Sequence, residues 1–305
     1  MAGGSAPATS DRAGTIAADD YAAITGEAPT DPDEALSTER ASFTYQEGTG
    51  STTSTLDGIA LSFDWCFDIG NATAGGGSTG ELVVLIECGG YGQSKTQFSA
   101  AHKRRLASYS GTTRGGLLVV CPNTRGRGAV SGTIDYVRDS YDRLDCARAA
   151  AALAEAAGAT VLMHGECFAI SGYSTGGYDV QAAVARLTDH ILAGIAYYPN
   201  WSLIQYWQLS AGSRATLTTS IGDLGTSTAA QVDPYTAREC AGALGDVLAM
   251  PGAPRLWILG DRTEAPLVPI PDPDPLVPTA ARSPAASSKV HEHITQTGDT
   301  HGIMH

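Results

Sequence analysis

The feature that most restricts the fold of this chain is a series of short, uninterrupted apolar runs separated by stretches of helical character. Leu82–Glu87 (LVVLIE) and Gly116–Cys121 (GLLVVC) lack polar alternation, which suits strands buried on both faces. Cys167–Ser171, Ile191–Tyr197, Leu256–Leu259 and Val290–Gln296 are further strand candidates. Ser42–Tyr45 and Ile59–Phe67 precede them, the second with partial alternation and aromatic content. Asn71–Gly80 (NATAGGGSTG) reads as a turn. Asp139–Ala157, rich in Ala with acidic residues early, and Asp179–Leu187 read as helices. Strands alternating with helices predict an α/β architecture, a mostly parallel sheet with helices on both faces. In such sheets chemistry sits at the carboxyl ends of the strands. A short cap excursion is expected after the sixth strand, at about 198–254, where periodicity is weak. Pro266–Pro284 holds seven prolines and is expected to be an irregular loop.

The length of 305 residues suggests two domains at ~150 residues each, and one decorated α/β domain fits as well. Residues 1–40 are poor in large apolar side chains and read as a flexible acidic N-terminal arm. It is read either as a mobile arm or as a segment that orders only on a partner, which makes it the candidate for an oligomer or assembly contact. Residues 41–305 form the folded domain. Hydrophobic residues make up 43% of the chain, enough for a sizeable core. Lys plus Arg number 19 against 32 Asp plus Glu, a net charge of −13 that disfavours binding to nucleic acid phosphates. No apolar run approaches the ~18–20 residues of a membrane span. The N-terminus (MAGGSAPATSDRAG) lacks the basic and apolar regions of a signal peptide. A cytoplasmic or virion-associated location is expected over secretion, although a mature chain stripped of its leader would read the same. Cys66, Cys88, Cys121, Cys146, Cys167 and Cys240 are scattered, with no CxxC pair and no zinc-type spacing. Free thiols in a reducing interior are expected, and no metal.

The strongest chemical signal is Ile170-Ser171-Gly172-Tyr173-Ser174-Thr175-Gly176-Gly177. It contains G-x-S-x-G between a strand and a helix, the context a nucleophile elbow requires. The turn is crowded, so Gly172 and Gly176 remove side chains that would clash, and Ser174 projects from the sheet. The helix N-terminus behind it offers free N–H groups to developing negative charge. His301, in Gly298-Asp299-Thr300-His301-Gly302 past the last strand, is the candidate base. His291 and His293 share one face of their strand and read as packed or surface side chains, since no third metal ligand accompanies them. Asp261 and Glu264 follow Leu256–Leu259 and are the candidate orienting acids. The oxyanion hole needs two N–H donors. Thr175 should supply one, and Gly90 or Tyr91, in the loop Cys88-Gly89-Gly90-Tyr91-Gly92, the other. Arg125 and Arg127 follow a strand end and are candidate ligands for an acidic substrate group, or solvated turn charges. Trp201, with Tyr197, Tyr198, Tyr206 and Trp207, lines an acyl pocket or fills the cap core.

These segments, in this order, resemble the α/β-hydrolase superfamily over roughly residues 42–305. The GYSTGG elbow, with a carboxylate four residues after Gly260, is similar to cutinase-like polyester hydrolases, and this spacing puts Glu264 ahead of Asp261. The CGGYG loop resembles the prolyl-oligopeptidase group. Asn123-Thr124-Arg125-Gly126-Arg127-Gly128 and Asp139-Ser140-Tyr141-Asp142 resemble the RGRG and D-x-YD segments of cocaine-esterase and X-prolyl peptidase relatives. The resemblance implies the α/β-hydrolase fold and a Ser-His-acid mechanism without cofactor. Three departures stand out. The usual acid position, three residues after Gly260, is Thr263, and the acidic arm has no counterpart. Only four residues follow His301, where relatives add a helix, so that edge is completed by another chain or the sequence is truncated.

The expected activity is hydrolysis of a carboxylic ester, small or polymeric, through an acyl-enzyme. One alternative is a prolyl-oligopeptidase-type serine peptidase. The other is a non-enzymatic binding or assembly protein, such as a virion or surface component, since fold alone does not fix function.

Overall fold

A computed structural model of the chain describes residues 44–75, 79–90, 94–109, 115–132, 134–197, 215, 254–261 and 290–295. The expected arm (1–40), the proline-rich segment and nearly all of the expected cap lie outside the described residues.

The strands are β1 (Tyr45–Thr53), β2 (Ala60–Asp68), β3 (Glu81–Cys88), β4 (Leu117–Asn123), β5 (Thr160–Val161), β6 (Phe168–Tyr173), β7 (Ile191–Tyr197), β8 (Arg255–Asp261) and β9 (Val290–Thr295). They form one sheet of order β1-β2-β4-β3-β6-β7-β8-β9, with the two-residue β5 on β3. The pairs β1/β2 and β2/β4 are antiparallel, and every other pair is parallel. All strands from β3 onward therefore end at one edge of the sheet. The mostly parallel architecture expected from the apolar runs is the one observed.

Helices cover both faces of this sheet. Helix α1 (Ala100–Ala107) lies against the face carrying Cys66, Val119 and Cys121, where its Ala107 joins a small apolar cluster. Helices α2 (Tyr136–Ala156) and α3 (Thr175–Arg186) cover the other face. There Phe63, Leu82, Val84, Ile86, Leu118, Val120, Phe168 and Ile170 meet Leu144, Ala147, Ala151, Val180 and Val184 in the main core. The period of two along each strand sorts its residues between the clusters. On β3, residues 82, 84, 86 and 88 join the main core, which leaves 81, 83, 85 and 87 on the α1 side.

Some element bounds differ from the sequence expectation. The first described strand is the nine-residue Tyr45–Thr53 (YQEGTGSTT), an edge strand without apolar alternation, while residues 42–43 of the expected Ser42–Tyr45 lie outside the described residues. Its glycines accommodate aromatic rings of β2: Gly48 pairs with Trp65 and Gly50 with Phe63. A Cβ on Gly50 would collide with the Phe63 ring and come within 2.8 Å of Leu153. Apolar cover thus comes from the neighbouring strand. Helix α2 starts at Tyr136, three residues before the expected Asp139, because Asp135 caps it by accepting from the N–H groups of Val137 and Arg138. Helix α1 (AAHKRRLA) has a single buried residue and so no apolar stripe to read from sequence. Its cap is Ser99, whose hydroxyl accepts from His102 N at 3.1 Å.

The described cysteines (Cys66, Cys88, Cys121, Cys146 and Cys167) are buried free thiols. Burial pushes Cys88 and Cys66 up to about 12, so both are protonated, inert side chains. No described helix is long and apolar enough to cross a membrane.

Candidate active site

Strand β6 ends at Tyr173 and helix α3 begins at Thr175, so one residue makes the whole reversal. That residue is Ser174, with φ 57° and ψ −122°. A non-glycine residue in this region costs roughly 1–3 kcal/mol and persists only where the surroundings enforce it. Several contacts enforce it here. Ser174 N–H donates to the Tyr197 carbonyl at the end of β7, at 2.9 Å. The Ser174 carbonyl accepts from Gly177 N at 3.0 Å and Tyr178 N at 3.3 Å. Glycine is required on both sides of the turn. A Cβ on Gly172 would strike the Gly176 backbone and approach Cys88 Cβ to 2.8 Å. One on Gly176 would strike the carbonyls of Cys88 and Gly89, the latter at 2.6 Å. Helix α3 thus seats its first turn directly on β3. The sequence placed this helix at Asp179, because Gly176 and Gly177 are poor helix formers. Close packing overrides that preference.

The Thr175 and Gly176 N–H groups belong to the first turn of α3 and have no intrahelical acceptor. With the helix dipole, they make this end attractive to negative charge. Gly90 follows β3 at the same edge of the sheet. A Cβ there would lie 3.1 Å from the Tyr173 ring, so glycine lets the loop rest against the elbow. Gln97 Nε2 donates to the Tyr173 hydroxyl and anchors that ring from the segment leading into α1.

Asp261 is the last residue of β8, and its backbone lies at the carboxyl edge two strands from the elbow. Ser174, Thr175, Gly90 and Asp261 therefore share one edge. His301, Glu264, Tyr91 and Trp201 lie outside the described residues.

Arg125 and Arg127 turn inward. They are 3% and 4% exposed, so an acidic substrate group does not reach them in this structure. Arg125 clamps Asp142 of α2 through Nε and Nη2, both at 2.9 Å, and binds Asp57 through Nη1 at 2.8 Å. Arg127 Nη1 and Nη2 bind Asp179 of α3 at 2.5 and 3.0 Å. Arg143 completes the set, with Nη2 on Asp179 at 2.8 Å and Nε donating to Cys88 Sγ at 3.1 Å. Asp179 is four residues past Thr175, so these guanidiniums fasten the elbow helix from behind. These partners lie 17 and 52 residues away, beyond any local pattern in the sequence.

Asp139 sits fully buried in the same cluster. Its oxygens are 3.7 Å from Arg125 Nε and 3.6 Å from Arg127 Nη2. Neither oxygen accepts a hydrogen bond. Burial pushes its carboxyl up to about 8, against the opposing pull of Arg127 and Arg143.

On the opposite face of the sheet is a polar pair that sequence reasoning missed. Ser171 Oγ of β6 donates to Glu87 Oε1 of β3, and the two residues face each other in the parallel register. They are 3% and 8% exposed. His102 Nε2 of α1 lies 3.7 Å from Glu87 Oε2, with its ring stacked on Phe98 at 5.3 Å. Burial, reinforced by the Glu87 charge, pushes the Tyr197 phenol up to about 12. The available signal was a carboxylate at the end of the apolar run Leu82–Glu87.

No protein-family model matches the chain, and no curated protein matches it by sequence. Solved structures do match. Acylaminoacyl peptidase of Pyrococcus horikoshii aligns with a TM-score of 0.58 at 14% identity, over 90% of this chain and 40% of that one. Acetyl xylan esterase from Paenibacillus sp. R4 aligns with a TM-score of 0.53 at 12% identity, over 90% of both chains. A prolyl endopeptidase aligns with a TM-score of 0.52 at 18% identity, over 74% of this chain and 30% of that one. The chain thus spans well under half the length of the two peptidases.

Proposed function

The chain has the α/β-hydrolase fold, and on that premise we propose that it is a serine hydrolase cleaving a carboxylic ester through an acyl-enzyme. The observation that carries this reading is Ser174, held at φ 57° on a one-residue reversal between β6 and α3. Strain of this kind at a strand's carboxyl end is the usual mark of a presented nucleophile. In the proposed reaction His301 takes the Ser174 proton as the hydroxyl attacks the carbonyl carbon. The oxyanion is held by the N–H of Thr175 and that of Gly90 or Tyr91. His301 then protonates the leaving alkoxide, and water, deprotonated by His301, releases the acid and restores Ser174. Glu264, or alternatively Asp261, orients the imidazole. Trp201 belongs to the acyl pocket. The buried guanidiniums of Arg125 and Arg127 support the elbow and do not bind substrate.

Esters are preferred over peptides because the esterase likeness covers 90% of both chains, whereas the acylaminoacyl peptidase likeness leaves most of that chain unmatched. Peptidase activity is the second reading, favoured by the higher TM-score of 0.58. A fluorophosphonate probe should modify Ser174, as mapped by mass spectrometry of the labelled peptide. Ser174→Ala should lose ester turnover by at least ~10³-fold. Parallel panels of chromogenic esters and dipeptide amides separate the two substrate classes. A well-folded protein that neither labels nor turns over would reject the hydrolase and favour a binding role.

A further inference from the structure

Glu87 and Ser171 occupy matched places on the two strands that build the site. Gly90 lies three residues beyond Glu87, and Ser174 lies three residues beyond Ser171. Their side chains bond across β3 and β6 at the register pair Glu87↔Ser171, one step before the final pair, Cys88↔Gly172. Beyond that step the two chains part, one into the glycine loop and one into the elbow. Among the described residues the bond is the last side-chain rung that joins β3 to β6 beneath the gap between Gly90 and Thr175. A hydroxyl bonded to a carboxylate is a strong, directional contact, and it strengthens further when water is excluded. The same face carries the buried apolar side chains of Leu85, Val119 and Cys121. A carboxylate in such surroundings is strongly destabilising unless it is hydrogen-bonded, so the Ser171 hydroxyl and Glu87 depend on each other.

We infer that Glu87 is a positioning residue: by accepting from Ser171 it sets the spacing of the two oxyanion-hole N–H donors. This rests on the hydrolase reading above. The other face of the same strand end is pinned independently, by Arg143 on Cys88. Removing the Glu87 rung therefore frees the loop to shift on one side without dismantling the strand. Displacements of about 1 Å in a catalytic constellation cost up to roughly 10²-fold in rate. The loss falls on the chemical step, because the rung touches no substrate.

The test uses the full chain with a chromogenic ester. Glu87→Ala is expected to lower kcat roughly tenfold to a hundredfold with KM nearly unchanged. Glu87→Gln, whose side-chain carbonyl still accepts from Ser171, should recover most of that loss. Ser171→Ala, a smaller change that removes only the donor, should reproduce the kcat effect and serves if Glu87→Ala fails to fold. The double variant should lose little beyond either single one. Undiminished kcat in Ser171→Ala, or Gln as damaging as Ala at position 87, overturns the inference. Fluorophosphonate labelling of the unaltered protein keeps the two questions apart. No labelling defeats the hydrolase reading itself, whereas labelling with unaffected variants defeats only the rung.

Discussion

The two faces of the sheet hold their helices by different means. Helices α2 and α3 bury an apolar core and add a dry set of guanidiniums and carboxylates, with Arg143 and Asp179 wholly enclosed. Helix α1 buries one alanine and is tied down largely by partly exposed ion pairs. Lys103 reaches Asp64 of β2 at 2.8 Å, and Arg104 Nε reaches Glu47 of β1 at 2.9 Å. Charges on the first face cannot be released to water when a partner is lost, while charges on the second can. The elbow helix therefore depends on ionic contacts far more than α1 does, although α1 carries more visible charge.

Deleting Asp179 should give the largest effect. Asp179→Ala leaves Arg127 and Arg143 without their shared carboxylate and should cost about 3–5 kcal/mol, measured by urea unfolding. A loss below about 1 kcal/mol would mean that water enters the cluster readily. Asp139 sharpens the contrast through pH. Its folded carboxyl, pushed up to about 8, holds a proton that the unfolded chain releases near its ordinary value of about 4. The folded state thus binds more protons across that window, and its stability falls as pH rises from about 4 to about 8. Asp139→Asn carries no such penalty. Its melting temperature relative to the parent should climb between pH 5 and pH 8 and then level off. A gap that stays flat would show Asp139 ionised throughout. The smallest effect belongs to the α1 face, where Arg104→Ala should cost about 0–1 kcal/mol. That loss should shrink further at high salt, a dependence the Asp179 variant should not share.

The same contrast explains what could be read from sequence. Strands β3, β4 and β6 contain the runs Leu82–Glu87, Gly116–Cys121 and Cys167–Ser171 nearly whole, because strands buried on both faces leave an uninterrupted apolar signature; β7 matches Ile191–Tyr197, although one of its faces is only partly covered. The elbow was legible because its glycines stand at fixed spacing around Ser174 between an apolar strand and a helix, a pattern readable in one short stretch even though Cys88 and Gly89 are what they pack against. Strand β1 was not, since its burial is supplied by Trp65 and Phe63 on the next strand. Arg125 and Arg127 looked like surface ligands because a charged residue carries no local mark of a distant partner. Glu87 hid for the same reason, its donor lying 84 residues further along the chain.

The bond from Ser174 N–H to the Tyr197 carbonyl has a practical corollary for engineering. The peptide unit that steadies the Ser174 turn is also the doorway through which the chain leaves β7. Anyone exchanging the segment after Tyr197 for one from another protein of this fold should make the splice downstream of this carbonyl. A graft that begins at or before it would trade away the hinge pin together with the segment it was meant to replace.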